Sequence, residues 1–176
     1  MSDKLKIIGI GSPNGDDRLG WTVIERLSER LGERKDVELI ALDRPGVGLI
    51  DYLAGETECW LVDAVKSERK APGCYLQPGL DQLLQAGSAT TGSHGVGLAE
   101  ALNLAGTLGL LPQRLELHGI TIGTTNIVGQ DLSLAVNTGV NRLVERFLER
   151  LEKNLVHTAT FNGGVGSLGS SSGSSD

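Results

Sequence analysis

The hydrophobic positions along this chain alternate between two periods. Leu5 to Gly11 (LKIIGIG), Val37 to Leu42 (VELIAL), Trp60 to Val65 (WLVDAV) and Arg114 to Ile122 (RLELHGITI) are short, nearly continuous aliphatic runs, as expected of strands covered on both faces. Gly73 to Gln77 adds a short strand after a loop. Between these runs the apolar residues fall at helical spacing. Leu19, Val23, Ile24, Leu27 and Leu31 make one helix face, and Val140, Leu143, Val144, Phe147, Leu148 and Leu151 make the last one. Val47 to Leu53 predicts a short helix closed by Gly55, and Val96 to Leu110 a Leu- and Ala-rich helix stopped by Pro112. The alternation predicts an α/β fold, a single three-layer domain with a mostly parallel five-stranded sheet and helices on both faces. In such a sheet the working site lies beyond the carboxyl ends of the strands, at a switch point. The loops of interest are therefore 11–18, 43–47, 63–72 and 88–96.

Composition narrows the class. The chain has 176 residues and a net charge of −6, which suits one domain and argues against a partner made of nucleic acid, since phosphate binding needs a basic face. No apolar run reaches the roughly 18 residues of a spanning helix, and the start, MSDKLKIIGIG, goes straight into a strand without signal-peptide anatomy. A cytoplasmic, membrane-free protein is expected, acting as a monomer. Cys59 and Cys74 do not form a CxxC pair and read as small packing residues. Residues 163–176 hold five Gly and six Ser, too polar to offset the entropy of ordering. The expected division is a folded domain over 1–155 and a flexible Gly/Ser-rich tail over 156–176.

Three loops carry residues with chemistry. The first strand runs into Gly9-Ile10-Gly11-Ser12-Pro13-Asn14-Gly15-Asp16-Asp17. A dinucleotide fingerprint would place a pyrophosphate at the following helix, but Asp16 and Asp17 put negative charge there. One acid can serve as a helix cap; the second needs another reason. Asp63 ends a strand expected to be buried, where an unpaired carboxylate is costly. His94, in Ser93-His94-Gly95, is the histidine that falls in a loop at the right end of the sheet, whereas His118 lies within a strand and His157 in the tail. Together Asp17, Asp63 and His94 form an open set of two carboxylates and one imidazole suited to a divalent transition metal such as zinc or nickel. There is no HExxH helix and no GxSxG elbow.

GIGSPNGDDRLG, LVDAV around residue 63 and SHGVGLAEAL around residue 94, in this order and setting, resemble the hydrogenase maturation endopeptidases, with Pro45-Gly46-Val47-Gly48-Leu49 as a weaker match to the entry of that family's second helix. The similarity spans roughly residues 5–150. It implies an endopeptidase that trims the C-terminal extension from the nickel-loaded large-subunit precursor of a nickel–iron hydrogenase. Its metal-contacting residues carry over to Asp17, Asp63 and His94. The nickel is presented by the substrate precursor, another divalent metal can substitute in vitro, and no organic cofactor is implied. Asp16 is then a free carboxylate available as base, with the metal either activating water or anchoring the scissile bond. Ser12 stands where the family usually has Asn, Arg18 where it often has Gly, and the first loop is one residue shorter, which keeps Asp16 open as the ligand in place of Asp17. The competing readings are a nucleotide-binding module using the glycine loop and a non-catalytic chaperone that senses nickel in the precursor.

Overall fold

The computed structural model describes residues 4–86, 95–123 and 131–161. Five strands, β1 (Leu5–Gly11), β2 (Val37–Asp43), β3 (Glu58–Lys66), β4 (Tyr75–Leu76) and β5 (Arg114–Ile122), form one sheet in the order β2-β1-β3-β5-β4. β2, β1, β3 and β5 are parallel, and β4 alone runs antiparallel, on β5. The expected α/β architecture is the observed one. The helices are α1 (Leu19–Leu31), α2 (Ile50–Leu53), α3 (Leu80–Ala86), α4 (Gly95–Thr107) and α5 (Leu134–Phe161). Short 3-10 turns at Gly15–Arg18 and Gly46–Leu49 lead into α1 and α2. None of the helices is long and apolar enough to cross a membrane, among the described residues.

The period-2 alternation of each strand divides two cores. Leu5 and Ile7 of β1, Trp60 and Val62 of β3, and Ile120 and Ile122 of β5 pack with α1 and α5. Ile8 and Ile10, Cys59 and Leu61, and Leu117 pack on the other face with Leu49, Leu53, Ala101 and Leu102. Asp63 shares the parity of Cys59 and Leu61, so it belongs to the second face. The glycines of β1 serve packing. A Cβ on Gly9 would lie 2.1 Å from the Gly20 carbonyl oxygen, and one on Gly20 would lie 2.1 Å from that of Ile10. Helix α1 therefore sits directly on the backbone of β1.

Three boundaries differ from the sequence expectation. Helix α4 is closed before Pro112: Gly109 adopts φ 68°, and the Leu110 amide donates to the Ala105 carbonyl at 2.8 Å, a glycine C-cap that ends the helix without proline. Helix α3 was not anticipated, although Leu80, Leu83 and Leu84 pack at its expected spacing against the second core. Helix α5 runs from Leu134 to Phe161, past residue 155. The Gly/Ser tail beyond it lies outside the described residues.

Candidate active site

The parallel crossovers leave β1 on one side and β3 on the other of the point where strand order reverses, and the loops leaving these two strands carry the acids. Behind β1, the Gly15–Arg18 turn folds Asp17 inward until 2% of it is exposed. The turn is closed by the Asp17 amide donating to the Asn14 carbonyl at 3.0 Å and the Ser12 amide donating to the Asp17 carbonyl at 3.2 Å. The fully buried Ser12 hydroxyl donates to Oδ2 of Asp17. Ser12 thus fixes one carboxylate oxygen of Asp17 from inside, a role that the sequence did not reveal, because a serine in a polar loop has no distinguishing pattern.

Asp63, at the end of β3, is 8% exposed. Its Oδ1 accepts a hydrogen bond from the Ala64 amide at 2.8 Å. Burial pushes its pKa up to about 8, against the lowering effect of the Ala64 amide, and the nearby charge of Asp17 adds to the rise. Burial thus favours the protonated carboxyl near neutrality. Asp63 faces a cavity of about 100 Å³ lined by Ile10, Leu49, Leu98, Pro45, Arg44 and the glycines Gly46 and Gly97. The cavity mouth is formed by the loop after β2, the start of α4 and the end of β3, at the switch point.

Asp16 is placed differently from expectation. It is not a free carboxylate. Its Oδ1 accepts the Ser133 amide at 2.6 Å, and its Oδ2 accepts the Ser133 hydroxyl at 2.9 Å. Ser133 directly precedes α5, and its carbonyl accepts the Asn137 amide at 2.8 Å. Two adjacent acids are thus divided by direction: Asp17 turns into the core, and Asp16 tethers the turn to the start of α5. No local pattern links residue 16 to residue 133, so the tether was invisible before folding.

His94 lies outside the described residues, and its position relative to Asp17 and Asp63 is accordingly not part of the geometry. Among the described residues no group of three His, Cys, Asp or Glu side chains is gathered for a metal. The two oxygen donors at the switch point suit a hard or borderline divalent cation that brings other ligands with it. Neither cysteine offers a nucleophile there. Cys59 is buried, with its thiol pushed up to about 12, chiefly by that burial, and Cys74 is exposed just before β4. His118 points away from the cavity, into the α5 face. There its Nδ1 lies 2.8 Å from the Tyr75 hydroxyl and its ring sits 4.7 Å from Phe147, centre to centre.

The doubly wound sheet thus places Asp63 beside a small cavity at the carboxyl end of β3 and Asp17 in the buried turn after β1. The family model for hydrogenase maturation proteases (HycI) matches residues 21–150, and the chain belongs to that family. The match includes Asp63 and begins after Asp17. Hydrogenase 2 maturation protease of Escherichia coli (strain K12) is 23% identical over 162 residues, covering 88% of this chain and 99% of that protein. The hydrogenase maturating endopeptidase HybD from E. coli superposes with a TM-score of 0.74 at 22% identity, over 86% of this chain and 93% of the other. The [NiFe] hydrogenase maturation protease HybD from Thermococcus kodakarensis gives 0.63 at 25% identity, over 84% and 98%. This chain is accordingly an endopeptidase of the hydrogenase maturation class.

Proposed function

We propose that the chain removes the C-terminal extension from the nickel-loaded large-subunit precursor of a nickel–iron hydrogenase. The observation that carries this reading is the buried Asp63 carboxyl beside Asp17, opening on a small cavity at the switch point of a fold shared with proteins of that name. The precursor's extension enters at the strand ends, and the nickel it carries is the substrate's own. Asp17 and Asp63 approach that metal, with His94 as the third ligand. A cation next to Asp63 reverses the effect of burial and releases its proton. Asp16 is held by Ser133, and Asp17 and Asp63 are the acids we assign to the metal and the scissile bond.

The test is a processing assay read by mass spectrometry, using nickel-loaded and nickel-free precursor. Loss of a short C-terminal peptide only from the loaded form is the expected result. Asp63→Asn should abolish that cleavage while raising the melting temperature by an amount that grows from pH 3.8 to about 8, because it removes a buried group whose ionisation opposes folding; buried groups of this kind cost about 1–3 kcal/mol. Nickel-dependent binding without cleavage would overturn the protease reading in favour of a sensor. Cleavage that persists in Asp63→Asn would remove Asp63 from the chemistry.

A further inference from the structure

Among the described residues, Arg44 is the one non-glycine with a positive φ, at 38°. Everywhere else that the described backbone enters this region, including Gly46 at φ 53° two residues on, the chain supplies glycine. A β-carbon in this conformation is unfavourable, and such outliers persist where the side chain is needed. Nothing in the loop's packing demands arginine: its side chain is half exposed. What the strained backbone achieves is direction. The Arg44 amide donates to the Gly11 carbonyl at 3.2 Å, pinning the exit of β2 to the exit of β1, and Arg44 is among the residues that line the same cavity as Asp63. Its Nε donates to Oδ1 of Asp43 at 2.7 Å and its Nη2 to Oδ2 at 3.5 Å. Asp43 therefore holds the Nε and Nη2 edge of the guanidinium, and among the described residues Nη1 has no acceptor.

Arg44 and Asp63 are the two charged or chargeable residues among those lining the cavity, and the rest are aliphatic residues, proline and glycine. A planar guanidinium oriented by one carboxylate at the mouth of an apolar cavity is suited to binding a second carboxylate in the same plane. The pair with Asp43 is solvent-exposed, so it orients the side chain without committing it.

We propose that Arg44 is a specificity-determining residue that binds a carboxylate of the precursor's C-terminal segment, either an acidic side chain or the terminal carboxylate. The inference rests on the processing reading above. Arg44 selects and aligns the segment, while the acids beyond it act at the bond. Its loss therefore falls on binding.

The experiment compares wild type, Arg44→Gly and Arg44→Lys on three nickel-loaded precursors: unaltered, with the acidic side chains of the extension changed to amides, and with a C-terminal amide. Glycine is at ease at φ 38°, so Arg44→Gly should keep or raise the melting temperature, and any loss is not misfolding. The expected result is a KM about tenfold or more higher for Arg44→Gly on the unaltered precursor, with kcat within about twofold, and an intermediate KM for Arg44→Lys, which keeps the charge but not the fork. One neutralised precursor should erase the difference between wild type and Arg44→Gly, and which one does so identifies the source of the carboxylate. An unchanged KM in Arg44→Gly, or the same penalty on all three precursors, overturns the assignment while leaving the processing reading intact. Failure of wild type to cleave any precursor removes both.

Discussion

The individual side chains with the most influence on the site are small or singly bonded. Ser12 is fully buried, and its hydroxyl is the donor to Oδ2 of Asp17. Without it, that carboxylate loses a buried hydrogen bond that helps to fix its position. Supporting partners of this kind typically contribute 10–100-fold to metal affinity or activity. Ser12→Ala should accordingly lower precursor processing by roughly 10–100-fold, and Ser12→Thr, which retains the hydroxyl, should recover most of it. Equal loss in both variants, measured as initial cleavage rate, would show that the residue only fills space. Lys6 illustrates a residue of the opposite kind. Its ammonium is buried at the far end of the sheet, where it donates to the Tyr52 carbonyl at 3.1 Å and to Glu56 at 2.7 Å. It closes the carbonyl end of α2 and is remote from the chemistry.

At the level of elements, the decisive contact is α1 on β1. Two glycines facing each other let the helix lie against the strand backbone, which brings the Gly15–Arg18 turn down far enough to bury Asp17. Helix propensity alone favours Gly20→Ala by about 1 kcal/mol. The added Cβ would nevertheless lie 2.1 Å from a backbone oxygen that cannot move aside, and overpacking of this kind costs about 1–3 kcal/mol or more. Gly20→Ala should therefore destabilise, and lower the denaturant midpoint, despite its better propensity. A gain in stability would mean that α1 is not seated as described. Helix α5 is held to α1 along its length as well: Arg26 donates to Asn141 at 2.6 Å and to Asn137 at 2.7 Å, and Arg30 pairs with Glu145 at 2.7 Å. With Asp16 clasping Ser133, both ends of the arrangement that carries Asp17 are anchored to one helix.

Across the whole molecule, the titratable groups of the two cores respond to pH in opposite senses. His118 is buried between β5 and α5, and burial lowers its pKa from 6.5 to about 4, against the raising effect of Glu116. Its Nε2 lies 3.3 Å from a Glu116 carboxylate oxygen but makes no well-aligned hydrogen bond among the described residues; that carboxylate is directed at Arg150, with both oxygens bonded at 2.7 and 2.8 Å. Above pH 6.5 the imidazole is neutral in both folded and unfolded chains. Between 6.5 and 4 the unfolded chain takes up a proton that the folded one refuses, so this group makes stability fall as pH drops through that window. Asp63 acts oppositely, favouring the folded state as pH falls from 8. His118→Gln should flatten the acid side of the stability curve, the difference from wild type growing to the order of 2–3 kcal/mol by pH 4. Parallel curves for the two proteins between pH 6.5 and 4 would show that the imidazole is already charged in the folded state.

The sequence by itself determined the alternation of elements apart from α3, the buried faces of α1 and α5, the parallel sheet and the end of it where the acids gather. These follow from local periodicity and from the handedness of crossovers, which one-dimensional spacing carries. It also drew attention to the Asp16–Asp17 pair and to Asp63, because one acid suffices as a cap at a helix start and an acid in a buried strand is costly. Only the tertiary structure decided which of two neighbouring acids turns inward, that Asp16 is held by Ser133, that Ser12 supports Asp17, and that Arg44 accepts a strained backbone to reach the cavity. Those outcomes depend on contacts between residues far apart in the chain, such as residue 16 with 133 or residue 9 with 20. Pairings of that kind leave no periodic trace, since each is set by how whole elements stack and not by the neighbours of either residue.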